Sequence, residues 1–151
     1  MRIDEGLDPI TLEVLWTRLI SVIDEAALTL HRTSFSTVVR ESHDYSCMVL
    51  APDGQSVAQA TRSIPSFIGT LPKSIRAFID KYPADTLQPG DVILSNDPWI
   101  GTGHLPDLTL ATPIFLGDEL IAFAGAIAHM ADIGGRRRAP DNKDIYEEGL
   151  Q

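Results

Sequence analysis

From Leu108 to His129 the chain reads as one β-hairpin, and that hairpin restricts the fold more than any other stretch. Leu108 to Phe115 forms one strand, Leu116-Gly117-Asp118 has the composition of a turn, and Glu119 to Ala128 returns. In the return strand Ile121, Phe123, Gly125 and Ile127 alternate with Ala122, Ala124, Ala126 and Ala128, so one face is bulky and the other nearly smooth. The smooth face invites close packing by another layer. If the alternation persists to the strand's end, His129 leaves on the bulky face, whereas a slip of one residue in the pairing would reverse it. The apolar stretch from Leu120 to Ala131 falls short of the ~20 residues a membrane helix needs and contains His129, so it reads as a buried strand.

The loop that enters this hairpin, Asn96 to Asp107, reads N-D-P-W-I-G-T-G-H-L-P-D. Pro98 and Pro106 fix φ while Gly101 and Gly103 permit tight turns, so the backbone is bent by composition and leaves His104 and Asp107 pointing into the bend. The exit carries His129 and Asp132 ahead of Gly134-Gly135. Hairpin pairing would bring His104 and Asp107 near His129. Two imidazoles and a carboxylate leave positions open on a divalent metal, as catalytic sites do. Closed structural zinc sites favour cysteine, and Cys47 is the single cysteine here. His-x-x-Asp is nonetheless a weak pattern by itself, and the same residues cap ordinary turns beside Gly and Pro, so spacing leaves both readings open.

The stretch N-D-P-W-I-G-T-G-H-L-P-D, followed by A-H-M-A-D-I-G-G, resembles the N-terminal part of the hydantoinase B/oxoprolinase family, which includes the large subunits of acetone carboxylase. R-E-S-H-D-Y-S-C, S-I-P-S-F-I-G and I-Y-E-E-G-L extend the resemblance along nearly the whole chain. It implies that His104, Asp107 and His129 match the ligands of a manganese-type divalent ion, with zinc or iron as alternatives. Under this reading Asp97 and Asp132 orient ligands or move protons, and Arg40, Asp44 and Ser46 help shape the site. The resemblance also implies a division of labour: an A-type ATP-binding partner subunit phosphorylates the substrate, and the B-type chain completes hydrolysis or carboxylation at the metal.

The expected function is metal-assisted hydrolysis of a cyclic amide of the hydantoin or oxoproline class, coupled to ATP hydrolysis in that partner. A ketone carboxylase subunit of the acetone type is the alternative enzyme. Because family members run several times longer, a fragment or docking module that is inactive alone is the third reading. The segment Arg136 to Asp144 departs from the small-residue, Pro/Gly-rich stretch of many hydantoinase-type members, which leaves the substrate open. Its three arginines, Arg136, Arg137 and Arg138, can hold an anion or form a solvated basic turn.

The rest of the chain excludes other classes. Asp and Glu number 21 against 12 Lys and Arg, a net charge of -9 that repels nucleic acid and anionic membranes. The opening M-R-I-D-E-G-L-D-P lacks the basic-then-apolar order of a signal peptide, so a cytoplasmic location is expected. Gly101-x-Gly103 has neither a third glycine nor a following G-K-[ST], so no nucleotide site is visible. Cys47, among Met48, Val49 and Leu50, reads as a buried thiol.

In order, Asp8 and Pro9 start a helix whose apolar stripe runs from Leu12 through Trp16, Ile23 and Leu30 to about Arg32. Arg40 to Ser46 reads as extended, which sends Ser42, His43 and Asp44 to opposite faces and excludes a hydrolase triad. Tyr45 to Leu50 and Gln55 to Gln59 form a hairpin around Pro52-Asp53-Gly54. Thr61 to Gly69 is irregular, a second helix runs from near Pro72 to just before Pro83, and Val92 to Ser95 is a brief strand. The expected fold is a single α+β domain over 1–151, with antiparallel hairpins packed on the long N-terminal helix, a second short helix, and loop or tail over 136–151.

Overall fold

The computed structural model describes residues 7–136 and 140–151. Five strands form one antiparallel sheet: β1 (Tyr45–Leu50), β2 (Ser56–Gln59), β3 (Ile93–Ser95), β4 (Asp107–Leu116) and β5 (Glu119–His129), in the order β2-β1-β5-β4-β3. Helix α1 (Pro9–Thr33) covers one face and helix α3 (Ser66–Lys81) the other, with a short α2 (Thr37–Ser42) between α1 and β1. The fold is α+β, as expected. The second helix lies across the sheet from the first.

Strand alternation assigns the two faces. On β1, Tyr45 and Cys47 point to the α1 side and pack with Ile23, Ala27 and Val39, while Met48 and Leu50 point to the α3 side. On β5, Phe123 and Ile127 join Phe67, Leu71, Ile75 and Phe78 of α3, and the smooth Ala126 and Ala128 lie under α1. Full burial of each large side chain in these clusters contributes about 1.5–3 kcal/mol. Cys47 sits inside this core, and burial pushes its thiol up to about 11.

Four expectations need correction. The second helix begins at Ser66, not Pro72. Pro65 takes the position before its first turn, and Pro72 sits within it, buried with its neighbours Leu71 and Ser74. A proline that has the composition of a start signal is an interior residue, because the packed stripe of Phe67, Leu71, Ile75 and Phe78 outweighs the single lost N–H. Arg40 to Ser42 is not extended but ends α2, which Ser36 caps through a hydrogen bond from Val39 N–H. His43 then takes φ 55 and turns the chain into β1. The triad remains unassembled for a different reason: His43 stacks on His31 at 5.0 Å between ring centroids, while Asp44 turns toward His129.

β4 begins at Asp107, one residue before the expected Leu108, so Asp107 belongs to the sheet rather than to the loop, and β5 runs to His129. The apolar stripe of α1 is only half used. Helix α1 extends over about 37 Å at 1.5 Å per residue. Its sheet contacts begin at Leu19, and Leu12, Leu15 and Trp16 remain roughly half exposed. Among the described residues no helix is long and apolar enough to cross a membrane.

Candidate metal centre

The last rung of the β4–β5 ladder pairs Asp107 with His129, so the sheet register sets two candidate ligands side by side. Met130 N–H donates to the Pro106 carbonyl at 2.8 Å and carries this ladder one step further, while on the other edge of β5 His129 N–H donates to the Asp44 carbonyl at 3.2 Å. His104 arrives from the loop one turn earlier, where Gly103 at φ +95 allows the reversal. Its Nε2 lies 3.0 Å from Asp107 Oδ2, and His129 Nδ1 lies 2.8 Å from Asp107 Oδ1. The carboxylate thus has an imidazole on each oxygen. The imidazole rings are 5.3 Å apart between centroids, and one donor atom from each of the three residues falls within 4.8 Å of the others.

These groups line a cleft of about 380 Å³ that also exposes Asp44 and Thr102, with Phe67 and Thr70 of α3 opposite. The Asp107 side chain is only 4 % exposed. Burial pushes its carboxyl up. Hydrogen bonding from His104 and His129, the nearby Thr102 hydroxyl and the charge of His104 together outweigh that and hold it below the ordinary aspartate value. Thr102 Oγ1 is buried and close enough to favour the carboxylate, although it lies outside good hydrogen-bond geometry. Asp44 Oδ2 stands 3.8 Å from His129 Nδ1. Burial and then the charge of Asp107 push Asp44 up, against a smaller pull from the two imidazoles.

Two carboxylates are therefore held close together in a poorly solvated pocket beside two imidazoles, an excess of negative charge that a divalent cation would relieve. The donor set of two nitrogens and carboxylate oxygen suits such an ion and leaves positions open for water or substrate. His104, Asp107 and His129 can hold it.

The other expected site residues do not line this cleft. Asp97 Oδ1 accepts the Trp99 N–H at 2.9 Å, and Asp132 Oδ1 accepts the Gly134 N–H at 2.8 Å, so each holds a turn beside a ligand-bearing segment. Ser46 is fully buried and bonds Ser63 Oγ at 3.3 Å. Arg136 is engaged by Asp141 and Glu147 at 2.5 and 3.2 Å. Arg137 and Arg138 lie outside the described residues.

Sequence reasoning missed Thr102, Asn96 and Glu148. The side chains of Asn96 and Glu148 hydrogen-bond the Leu105 backbone, Glu148 from 43 residues away. A contact at that separation leaves no local pattern.

A family model for hydantoinase B/oxoprolinase matches residues 8–151. The chain belongs to the hydantoinase B/oxoprolinase family. It is 39% identical over 150 residues to a 5-oxoprolinase of Dictyostelium discoideum, a match spanning 95% of this chain and 11% of that one. The crystal structure of an ATP-dependent caprolactamase from Pseudomonas jessenii superposes with a TM-score of 0.84 at 35% identity, over 97% of this chain and 26% of its own. A nucleotide-free acetone carboxylase structure gives 0.74 at 26% identity, over 85% of this chain and 17% of its own. The chain spans between 11% and 26% of the length of the curated relatives it matches.

Proposed function

We propose that this chain supplies the metal centre of a hydantoinase B/oxoprolinase-type subunit that opens a cyclic amide, with ATP consumed in an A-type partner subunit. The observation that carries this is the Asp107–His129 rung with His104 closing on the same carboxylate. Membership of the family and likeness to a 5-oxoprolinase and an ATP-dependent caprolactamase support the reaction class.

His104, Asp107 and His129 would hold the ion, manganese in the first instance, and Asp44 would present a further oxygen from the same side. When bound, a divalent ion supplies Lewis-acid stabilisation of the oxygen charge that develops as an amide carbonyl is attacked. Asp107 gathers both imidazoles, with His104 Nε2 on one oxygen and His129 Nδ1 on the other, and an ion bound by all three residues would take the place of those hydrogen bonds. Phe67 and Thr70 wall the cleft on the α3 side. Asp97 and Asp132 act at one remove, by fixing the turns that flank His104 and His129.

The test uses a full-length relative carrying this segment, reconstituted with its A-type partner and supplied with hydantoin, 5-oxoproline and caprolactam. ATP-dependent ring opening that disappears in His104→Ala is the expected result. Full turnover in that variant would remove the assignment. The likeness to acetone carboxylase favours a second reading, ketone carboxylation, and bicarbonate-dependent ATP turnover without ring opening would select it. The isolated 151-residue chain is expected to be inactive under either reading.

A further inference from the structure

Both backbone polar groups of Leu105, the residue between His104 and Pro106, are satisfied by side chains. Its N–H donates to Glu148 Oε2 at 2.9 Å, and its carbonyl accepts from Asn96 Nδ2 at 3.0 Å. The same Asn96 amide donates to the Leu150 carbonyl at 2.7 Å, and the Leu105 side chain is fully buried. Leu105 lies outside every strand and helix, so Glu148 and Asn96 are what fix the backbone between His104 and Asp107.

The segment bearing Glu148 is itself tied to the exit of β5. Leu150 N–H donates to the Ile133 carbonyl at 2.9 Å, Arg136 N–H donates to the Glu147 carbonyl at 2.7 Å, and Gly134 bridges Gly149. The two backbones come closer than side chains allow: a Cβ on Gly135 would lie 2.2 Å from the Glu148 carbonyl carbon. One clasp therefore reaches from the segment just after His129 back to the residue just after His104.

We propose that Glu148 is a positioning residue for the metal centre: by accepting the Leu105 N–H it holds His104 at the distance where its imidazole, the Asp107 carboxylate and His129 converge. The inference rests on the metal reading above. Partners one step removed from metal ligands typically affect affinity by about 10- to 100-fold. The loop that Glu148 restrains has two glycines, Gly101 and Gly103, that would otherwise let it relax.

The experiment titrates the 151-residue chain with Mn(II), following the loss of the free-ion EPR signal, for the parent, Glu148→Ala, Glu148→Gln and Asp141→Ala. Leu105 amide exchange and the metal-free melting temperature are measured on each. Glu148→Ala is expected to weaken Mn(II) binding about 10-fold or more and to expose the Leu105 amide. Glu148→Gln keeps a carbonyl acceptor and should retain most of the affinity. Asp141→Ala removes an outer ion pair of Arg136 and should bind as the parent does. If Glu148→Ala does not fold, Asn96→Ala frees the other side of the same residue and carries the same expectation.

Parental affinity in Glu148→Ala, or an equal loss in Asp141→Ala, would overturn the positioning role while leaving the metal site standing. A parent chain that binds no Mn(II) would overturn both.

Discussion

Asp107 couples the site to the stability of the fold through its ionisation. Its carboxyl is held below the ordinary value of 3.8, because the bonds and charge around it outweigh burial. A carboxylate so held contributes stability that is complete above the unfolded value and is lost as pH falls through the folded one, so its contribution disappears below pH 3.8. Asp44 has the opposite sign. Burial and Asp107 raise it, so its contribution is present below the ordinary value and is lost as pH rises through the raised one. Asp44→Asn should therefore raise the melting temperature of the metal-free chain at neutral pH and weaken divalent-ion binding, whereas Asp107→Asn should lower both. Paired thermal scans with and without Mn(II) check the two signs. A stabilised, tighter-binding Asp44→Asn variant would show that Asp44 is no part of the ion's surroundings.

The hairpin of β4 and β5 carries most of what could be read in advance. Alternation along Glu119 to Ala128 separates a bulky face from a smooth one and puts His129 on the bulky side provided the register holds, whereas which helix covers which face shows only in the folded chain. Gly125 on that bulky face shows why the packing is close: a Cβ there would stand 2.9 Å from Leu50 Cδ1 and 3.3 Å from Leu71 Cδ1. Gly125→Val should cost about 1–3 kcal/mol by overpacking, and Leu71→Ala about 2–5 kcal/mol by leaving a cavity, both measured by urea unfolding. Elements whose limits depend on tertiary contacts were less legible. The start of α3 at Ser66 is fixed by the burial of Phe67 and Leu71, and α2 is too short for periodicity to show. His104, Asp107 and His129 were legible as a group through the motif, but the route by which Glu148 and Asn96 reach Leu105 exists only in the folded chain.

At the scale of the whole molecule the sheet lies between α1 and α3, and the candidate centre sits at the sheet's end, where β5 stops and the Asn96–Asp107 loop meets β4. An ion there would tie together β4, β5, the entry loop and, through Leu105, the segment around Glu148. Binding to the folded state alone adds about 2.7 kcal/mol at a free concentration 100 times Kd, so the melting temperature should rise with Mn(II) concentration. The half-exposed stripe of Leu12, Leu15 and Trp16 is surface that the described residues leave uncovered. Whether this sheet end forms the proposed divalent-metal centre is decided by its ion content. Elemental analysis of the purified chain after exposure to manganese, zinc and iron, with His104→Ala alongside, tests it most directly. About one tightly held ion per chain is expected, lost in a His104→Ala variant that stays folded. An ion retained undiminished by His104→Ala, or none in either protein, would contradict it.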